Sequence, residues 1–306
     1  MSSGLMLDTT AAMYVAFGVF GIIDNGIVLI VIARTKALRD ATNLLIANQS
    51  LIDLLASAFL LFLQVVPASI PSGKPRAADF VCEFWMSWYP FWALITASGG
   101  NLIVITIERF YAVTCPILYR QFISYKRVTL LALMPWVYGL VFNAHFFAWA
   151  RVDGQICHLF EMPNIIIWKT IGIVTFILNF LGPSCTMAIL YAIIAAKLRH
   201  QLRQHTTGIN HREKARRNVI KTLFIVCACY ILCWAPNDVY SLFCYIGGTL
   251  QFEGVIYDIT VFMAFANMWI NPIIYSFRYD KFRKGLRKLL CGRSSRRPSM
   301  VISSIY

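Results

Sequence analysis

The stretch VIKTLFIVCACYILCWAPNDVYSLFCYI, residues 219–246, decides the fold because it is nearly continuous in apolar residues. A helix needs about 20 mostly apolar residues to cross a hydrocarbon core roughly 30 Å thick. Six further stretches have this character, and the seven candidate spans occupy residues 11–33, 43–66, 80–113, 128–150, 165–194, 219–246 and 255–276. Only 14% of residues are charged and 58% are hydrophobic, too little polar material for a soluble fold. The sequence therefore predicts an all-α membrane protein.

The distribution of charge predicts how the chain lies in the membrane. All but four of its 28 Lys and Arg residues occur in or beside the connections after spans one, three and five and in the tail after span seven. The four exceptions lie on the opposite side, at Lys74, Arg76, Arg151 and Lys169. Because basic residues stay on the cytoplasmic face, we expect the N-terminus outside the plasma membrane and the C-terminus inside. This topology beside anionic lipid explains the net charge of +14, so nucleic acid is not an expected partner.

The chain divides into four segments. Residues 1–10 are expected to form an extracellular N-terminus too short to capture a ligand, with span one as the signal anchor. Residues 11–276 hold the seven spans, and residues 292–306 are expected to be a disordered cytoplasmic tail. Residues 277–291 predict an amphipathic helix on the inner membrane surface, because its apolar residues fall broadly on one face. Those residues are Phe277, Phe282, Leu286, Leu289 and Leu290.

Polar residues and prolines inside the spans indicate function. Ionisable groups within hydrocarbon are expensive, so each is a functional hypothesis. They are Asp24, Asp53, Glu108, Arg109 and Asp238. Spans four to seven each contain a proline, which kinks a helix and leaves one carbonyl without its helical donor. We expect bundle neighbours or internal water to supply the missing partners.

Most spans carry a recognisable short motif, and the motifs follow one another in a fixed order. They are Asn25; Leu51-Ile52-Asp53; Glu108-Arg109-Phe110 with Ala112-Val113 and Pro116; Trp136; Pro183 with Tyr191; Cys233-Trp234-Ala235-Pro236; and Asn271-Pro272-Ile273-Ile274-Tyr275 with Phe277. In this order the chain resembles the rhodopsin-like (class A) G-protein-coupled receptors along nearly its whole length. The resemblance implies a seven-transmembrane helix bundle with a short amphipathic eighth helix.

The resemblance implies residues for coupling to a heterotrimeric G protein. Arg109 matches an arginine held by its neighbour, here Glu108, until activation. The other positions implied in activation are Tyr191, Trp234, Pro236, Asn271, Pro272 and Tyr275. Many relatives restrain the arginine with an acidic residue near the inner end of span six. Here that stretch contains Lys214, Arg216 and Arg217, so we expect a weakly held inactive state and measurable basal activity.

The resemblance also implies a sodium ion and a disulfide. Asp53, Ser98, Asn267 and Asn271 match a cluster that holds sodium as an allosteric modulator, and one carboxylate with neutral oxygens suits such a cation. Alternatively, these groups hydrogen-bond each other and water. Cys82 and Cys157 match the pair that joins span three to the second outer loop. Cys82 lies 27 residues before Arg109, two more than is usual in the family. A bulge or bend near Pro90 would absorb the difference.

Two ligand classes, monoamines and retinal, are disfavoured because this chain lacks the residues that anchor them in related receptors. Amine receptors carry an aspartate where this chain has Phe91, and light receptors carry a retinal-binding lysine where it has Phe265. A short peptide is therefore the first expectation for the extracellular ligand, with a lipid or small organic molecule next. The upper cavity is expected to be lined by Trp88, Phe91, Trp92, Ile95, Thr175, Asn179, Trp234, Asn237, Asp238, Ser241, Tyr257 and Val261.

Several alternatives stay open. Asp238 either pairs with a cationic ligand group or bonds within the protein, for instance with Lys169. Cys291 is a candidate for palmitoylation. The tail serines are either phosphorylation sites for a receptor kinase and arrestin or a solvated linker. The chain is not expected to be an enzyme. One alternative is a seven-span transporter, which would need a continuous ionisable relay or discontinuous helices, whereas the interior acids here are isolated. Another is a signalling-silent decoy receptor, but the presence of Arg109, Tyr191 and Tyr275 disfavours it.

Overall fold

The structure is a computed structural model that describes residues 2–66, 68–159, 164–204, 211–247 and 250–290. Its elements are α1 (Ser2–Arg34), α2 (Ala41–Val65), α3 (Pro75–Phe80), α4 (Tyr89–Thr114), α5 (Pro116–Phe122), α6 (Tyr125–Asn143), α7 (Phe146–Trp149), β1 (Arg151–Asp153), β2 (Ile156–His158), α8 (Ile165–Thr175), α9 (Gly182–Gln204), α10 (His211–Tyr245), α11 (Val255–Arg278) and α12 (Asp280–Leu290). A π-helical turn, Val81–Met86, lies between α3 and α4, and a second, Phe176–Leu181, lies between α8 and α9.

Seven helical spans surround one apolar core to which α1, α2, α4, α6, α9, α10 and α11 all contribute. Spans one, two, four, six and seven are α1, α2, α6, α10 and α11, while span three is α3 to α4 and span five is α8 to α9. Six of the spans in the described residues are long and apolar enough to cross a membrane by length and composition alone. The seventh, α6, has 19 residues and two basic residues in its first turn, and it packs against α2 and α4. The predicted seven-helix bundle is confirmed.

The outer end of span three is irregular. Trp88 has a positive φ of 59°, and Pro90 follows at the start of α4, where its missing N–H is tolerated. Together with the preceding π-helical turn, this break absorbs the two extra residues between Cys82 and Arg109 that the sequence contains. Cys82 and Cys157 form a disulfide with their Cα atoms 5.5 Å apart. The predicted disulfide is confirmed.

The loop that carries Cys157 is a short hairpin. Strands β1 and β2 pair antiparallel, with Val152 opposite Cys157. Gly154 supplies the left-handed turn conformation at a φ of +60°. The two turn residues are Gly154 and Gln155, and a glycine at the first of two turn positions is a frequent feature of tight hairpins. The disulfide therefore fixes the hairpin over the outer end of the bundle.

Two of the carbonyls freed by prolines find partners in neighbouring spans, as predicted. Pro272 cannot donate to the Met268 carbonyl, and the Asn25 amide donates to that oxygen instead, at 2.7 Å. In span five, the Tyr230 hydroxyl donates to the Asn179 carbonyl at 2.9 Å, four residues before Pro183. Each kink is thereby tied to a different helix.

The eighth helix, α12, begins at Asp280, three residues after the predicted boundary. Phe282 is buried, whereas Phe277 remains at the end of span seven with 71% of its surface exposed. Gly285 allows α12 to lie close to span one, because a Cβ there would come within 2.7 Å of Thr35 Oγ1. The apolar pattern predicted the helix, but it did not reveal this close approach.

Candidate functional site

A cavity of about 440 Å³ lies between spans three to seven at the outer end of the bundle. Its volume falls within the range of small-ligand sites, from about 300 to 1,000 Å³. Ten of the twelve residues predicted to line it do so: Trp88, Trp92, Ile95, Thr175, Asn179, Trp234, Asn237, Asp238, Ser241 and Tyr257.

Phe91 and Val261 do not line the cavity, contrary to prediction. Phe91 is fully buried and packs edge-to-face on Phe265, with ring centroids 4.9 Å apart. The break at Trp88 changes the register of the outer turn of span three, which directs Phe91 toward span seven. Val261 is buried in the apolar core. The positions that carry the amine anchor and the retinal lysine in other receptors are thus occupied by two contacting rings.

Further lining residues come from span four, the outer loops and the outer ends of other spans, and the sequence did not identify them. They are Met86, Ser87, Thr96, Phe142, Asn143, His145, Phe146, Leu159, Trp168, Tyr230, Tyr245 and Phe252. Apolar periodicity could not show which face of span four points inward, because most of that span is apolar all round. The polar residue Asn143 was the available sequence signal for the inward face of span four. In the structure, Asn143 donates to Thr96 Oγ1 at 3.0 Å.

His145 lies on the cavity wall and behaves as a hydrogen-bonded packing residue. Its Nδ1 lies 2.9 Å from the Phe142 carbonyl, and its ring stacks on Phe146 with centroids 4.6 Å apart. No group of three or more His, Cys, Asp or Glu residues able to hold a metal occurs in the described part of the chain. His145 therefore contributes a hydrogen-bonded, stacked ring to the cavity wall.

Asp238 is the sole carboxylate on the cavity wall among the described residues. It makes no ion pair or hydrogen bond within the described part of the chain. The alternative partner, Lys169, instead has its amine close to Gly247, where an added Cβ would lie 3.6 Å from Nζ. A charged or polar group without a partner in an apolar, aromatic setting is energetically unfavourable, so this site favours binding of a hydrogen-bond donor or a cation.

At the opposite end of the bundle, Arg109 is held by its neighbours. Its guanidinium pairs with the Glu108 carboxylate and lies 3.2 Å from the Tyr119 hydroxyl on α5. Tyr119 also donates to Glu108, and Thr42 donates to the same carboxylate at 3.4 Å. Burial, followed by the Glu108 charge, raises the pKa of Tyr119 above its ordinary value. The phenol therefore remains protonated and able to donate at physiological pH.

The inner end of span six is restrained by contacts that avoid Arg109. Arg216 donates to the Ala112 carbonyl at the end of span three. Asn218 forms a clasp with the start of the eighth helix: it donates to the Arg278 carbonyl at 2.8 Å and accepts from the Asp280 N–H at 2.9 Å. This Asn218 clasp links spans six and seven beside the basic residues Lys214, Arg216 and Arg217. A cavity of about 660 Å³ opens beside Arg109 and Arg216.

The polar cluster in the middle of the bundle brings together three of the four predicted sodium ligands. Asp53 accepts from Ser98 Oγ at 2.7 Å and from Asn271 Nδ2 at 3.1 Å. The Gln49 amide nitrogen, which the sequence did not single out, lies 3.2 and 3.1 Å from the two carboxylate oxygens. The side-chain oxygen of Asn267 has no hydrogen-bond partner among the described residues.

A sodium ion fits this arrangement poorly. The two oxygens of a carboxylate offer about four lone-pair positions, and each Asp53 oxygen already faces two donors. The side-chain oxygens of Asn267 and Asn271 have no partner among the described residues and could act as ligands. The Asp53 carboxylate, whose charge would attract the cation, already accepts hydrogen bonds from Ser98, Gln49 and Asn271. The geometry favours the alternative in which these groups hydrogen-bond each other, and a sodium ion here stays a prediction.

The remaining activation residues lie between the two cavities. Trp234 is buried on the floor of the outer cavity, two residues before the Pro236 kink. Tyr275 follows the Pro272 kink, and its buried hydroxyl has no hydrogen-bond partner within the described residues. The same holds for the Tyr191 hydroxyl, beside Thr106 and Cys227. Cys291 and the tail serines lie outside the described residues.

Comparisons with known proteins agree with this architecture. The family described as 7 transmembrane receptor (rhodopsin family) matches residues 24–275. The Homo sapiens neuropeptides B/W receptor type 2 is 29% identical over 303 residues, covering 91% of this chain and 85% of that protein. The Homo sapiens trace amine-associated receptor 2 is 26% identical, covering 94% and 84%. The Rattus norvegicus somatostatin receptor type 4 is 24% identical, covering 93% and 73%.

These matches favour neither a transporter nor an enzyme. They agree with the order of motifs along the spans and with the seven-helix bundle that the structure shows. The chain belongs to the rhodopsin family of seven-transmembrane, G-protein-coupled receptors.

Proposed function

We propose that this receptor acts at the plasma membrane, with its N-terminus outside, and binds a short peptide that carries a cationic group. The observation that supports this most directly is the Asp238 carboxylate on the wall of an aromatic cavity, which has no partner among the residues that the structure describes. A charge-assisted hydrogen bond from a ligand guanidinium or ammonium would satisfy this carboxylate. The surrounding tryptophans offer ring faces to the same cation.

Several features support a peptide over a monoamine. The monoamine anchor position is Phe91, which is buried away from the cavity against Phe265. The cavity also reaches Leu159, beyond the second-loop hairpin, and Phe252 before span seven, so its mouth extends into the outer loops. Relatives named for neuropeptides B/W and somatostatin are peptide receptors, while relatives named for trace amines and 5-hydroxytryptamine are amine receptors. A lipid or small organic ligand is the next candidate class.

On the inner side, we assign the coupling role to Arg109 and the cavity beside it. Ligand binding shifts the population toward a state in which span six moves outward and the Asn218 clasp opens. The buried hydroxyls of Tyr191 and Tyr275 are then free to find new partners. A heterotrimeric G protein would occupy the opened cavity, and a receptor kinase, arrestin and lipids at Cys291 are further proposed partners.

The proposal is tested by measuring G-protein activation in membranes that contain the receptor, with short cationic peptides, neutral peptides, amines and lipids as probes. Once an active cationic peptide is found, the Asp238→Asn variant should lose potency by about 10- to 100-fold, because a hydrogen bond to a charged group is worth about 1.5–3 kcal/mol. Potency of a neutral ligand should change little.

Glu253→Gln is the matched control, since it removes the same charge from an exposed outer position that does not line the cavity. Equal losses in both variants would indicate long-range attraction rather than an anchor. Unchanged potency of every cationic probe on Asp238→Asn would overturn the assignment of Asp238. Activation by lipids alone would overturn the peptide proposal.

A further inference from the structure

A chain of hydrogen bonds runs from span four to Asp53. The Trp136 indole Nε1 donates to Asn48 Oδ1 at 3.0 Å, and Asn48 Nδ2 donates to Asn101 Oδ1 at 2.9 Å. Asn101 Nδ2 then donates to Gln49 Oε1 at 2.9 Å, and Gln49 Nε2 donates to the Asp53 carboxylate. All three amides are therefore oriented in the same sense, with each NH₂ group nearer to Asp53.

The donor and acceptor properties of these side chains require this orientation of the three amides. The oxygen and nitrogen of an amide have nearly the same shape, so an amide can usually be turned over. An indole N–H, however, only donates, so the atom of Asn48 that faces Trp136 must be the oxygen. The nitrogen of Asn48 then faces Asn101, and the same requirement passes along the chain. The NH₂ group of Gln49 must consequently face Asp53.

The position of this NH₂ group determines what Asp53 can bind. Gln49 Nε2 also lies 2.5 Å from Ser98 Oγ, so it sits between two of the implied sodium ligands. An amide NH₂ carries partial positive charge and has no lone pair for a cation. Gln49 and Ser98 are fully buried, so neither can exchange its partner for bulk water. A sodium ion would have to displace the Gln49 amide and break its bond to Asn101.

We propose that the Gln49 amide, oriented by the chain that begins at Trp136, serves Asp53 in place of a sodium ion. The stability of the resting receptor is then insensitive to sodium. Charge-assisted hydrogen bonds are among the strongest in proteins, and aligned amides polarise one another, so three neutral donors can hold this carboxylate. This inference concerns the resting fold and does not depend on the identity of the ligand or on coupling.

The test is the thermal unfolding of the purified full-length receptor in lipid nanodiscs, in NaCl and in KCl at matched ionic strength. A thiol-reactive dye can report unfolding, because Cys227 and Cys244 are buried in the fold. The wild-type protein should unfold at the same temperature in both salts.

Two variants should gain a response to sodium. Gln49→Leu removes the donor and leaves a lone-pair position without a donor on each Asp53 oxygen, so NaCl should raise its Tm over KCl by about 2–4 °C in a saturable manner. Trp136→Phe removes the group that fixes the amide orientation, so a smaller rise in the same direction is expected. Tyr138→Phe is the control, since it removes a different donor from span four that lies outside the chain and bonds to Asn179. It should not respond to sodium.

A saturable, sodium-specific rise in the Tm of the wild-type protein would overturn the proposal. So would a lack of response in both Gln49→Leu and Trp136→Phe, because the amide would then not be what excludes the ion. If Gln49→Leu fails to fold, the wild-type protein and Trp136→Phe still decide the question. Ligand screening does not enter this test, so its outcome is separate from that of the proposed function.

Discussion

The buried polar side chains of spans one to four and those of spans five to seven differ in how completely they are hydrogen-bonded. In the first set, a continuous chain of directed hydrogen bonds joins Trp136, Asn48, Asn101 and Gln49 to Asp53. Most of the buried side-chain atoms without a hydrogen-bond partner in the described residues belong to the second set, among them the hydroxyls of Tyr191 and Tyr275, whereas spans one and two contribute Asn25 Oδ1 and Ser50 Oγ.

The comparison indicates which part of the bundle can move. Saturated hydrogen bonds resist rearrangement because any motion exposes an unsatisfied donor or acceptor in a low-dielectric interior. Unsatisfied hydroxyls lose nothing when they move and gain a bond when they find a partner. Spans one to four therefore act as a fixed frame, and spans five to seven hold the groups that change partners. The following substitutions test this division, from the largest expected effect to the smallest.

Gly139→Val should damage the frame most. A Cβ at Gly139 would collide with backbone of span three, lying 3.1 Å from both the Ala93 carbonyl carbon and the Ala97 nitrogen. Backbone atoms cannot yield as side chains do, so we expect a loss of about 3 kcal/mol or more, or roughly 6–12 °C in Tm. Gly100→Ala at the same interface is the control, since its nearest neighbour would be Pro135 at an ordinary 3.5 Å. Equal losses would show that the interface tolerates no added volume anywhere.

Asn25→Leu should destabilise the tie between the frame and span seven by about 1–3 kcal/mol, because the Met268 carbonyl loses its donor. Pro272→Ala restores the helical N–H four residues after Met268. The double variant should therefore lose less stability than the sum of the two single losses, measured as Tm. Simple additivity would contradict the role assigned to Asn25.

Tyr230→Phe should have a smaller effect, about 1 kcal/mol, because one hydroxyl-to-carbonyl bond to Asn179 is lost within spans five and six. Tyr240→Phe is a matched control, since its hydroxyl also donates to a carbonyl at 2.9 Å, that of Gln251, but in an exposed setting. Solvent can replace that bond, so Tyr240→Phe should leave the Tm nearly unchanged. A larger loss for Tyr240→Phe would reverse the expected ranking.

Asn218→Ala should change signalling more than stability. Loss of the Asn218 clasp favours outward movement of span six, and a shift of about 0.5–1 kcal/mol corresponds to a two- to fivefold rise in ligand-free nucleotide exchange. Asn218→Asp keeps the acceptor for the Asp280 N–H but loses the donor to Arg278, so it should give an intermediate rise. Unchanged basal exchange in both variants would show that other contacts hold the resting state. The basal activity of the wild-type receptor remains a separate prediction from its basic Lys214–Arg217 stretch.

The amino-acid sequence by itself determined the seven spans, the eighth helix and the need for partners at the proline kinks, while the family resemblance implied the disulfide partners. These properties depend on apolar length, residue type and spacing, which are local along the chain. Tertiary structure alone decided that Phe91 turns toward Phe265, that Asp238 has no partner among the described residues, and that Gln49 faces Asp53. Which face of a helix points inward, and which donor meets which acceptor, depends on segments distant in sequence packing against each other.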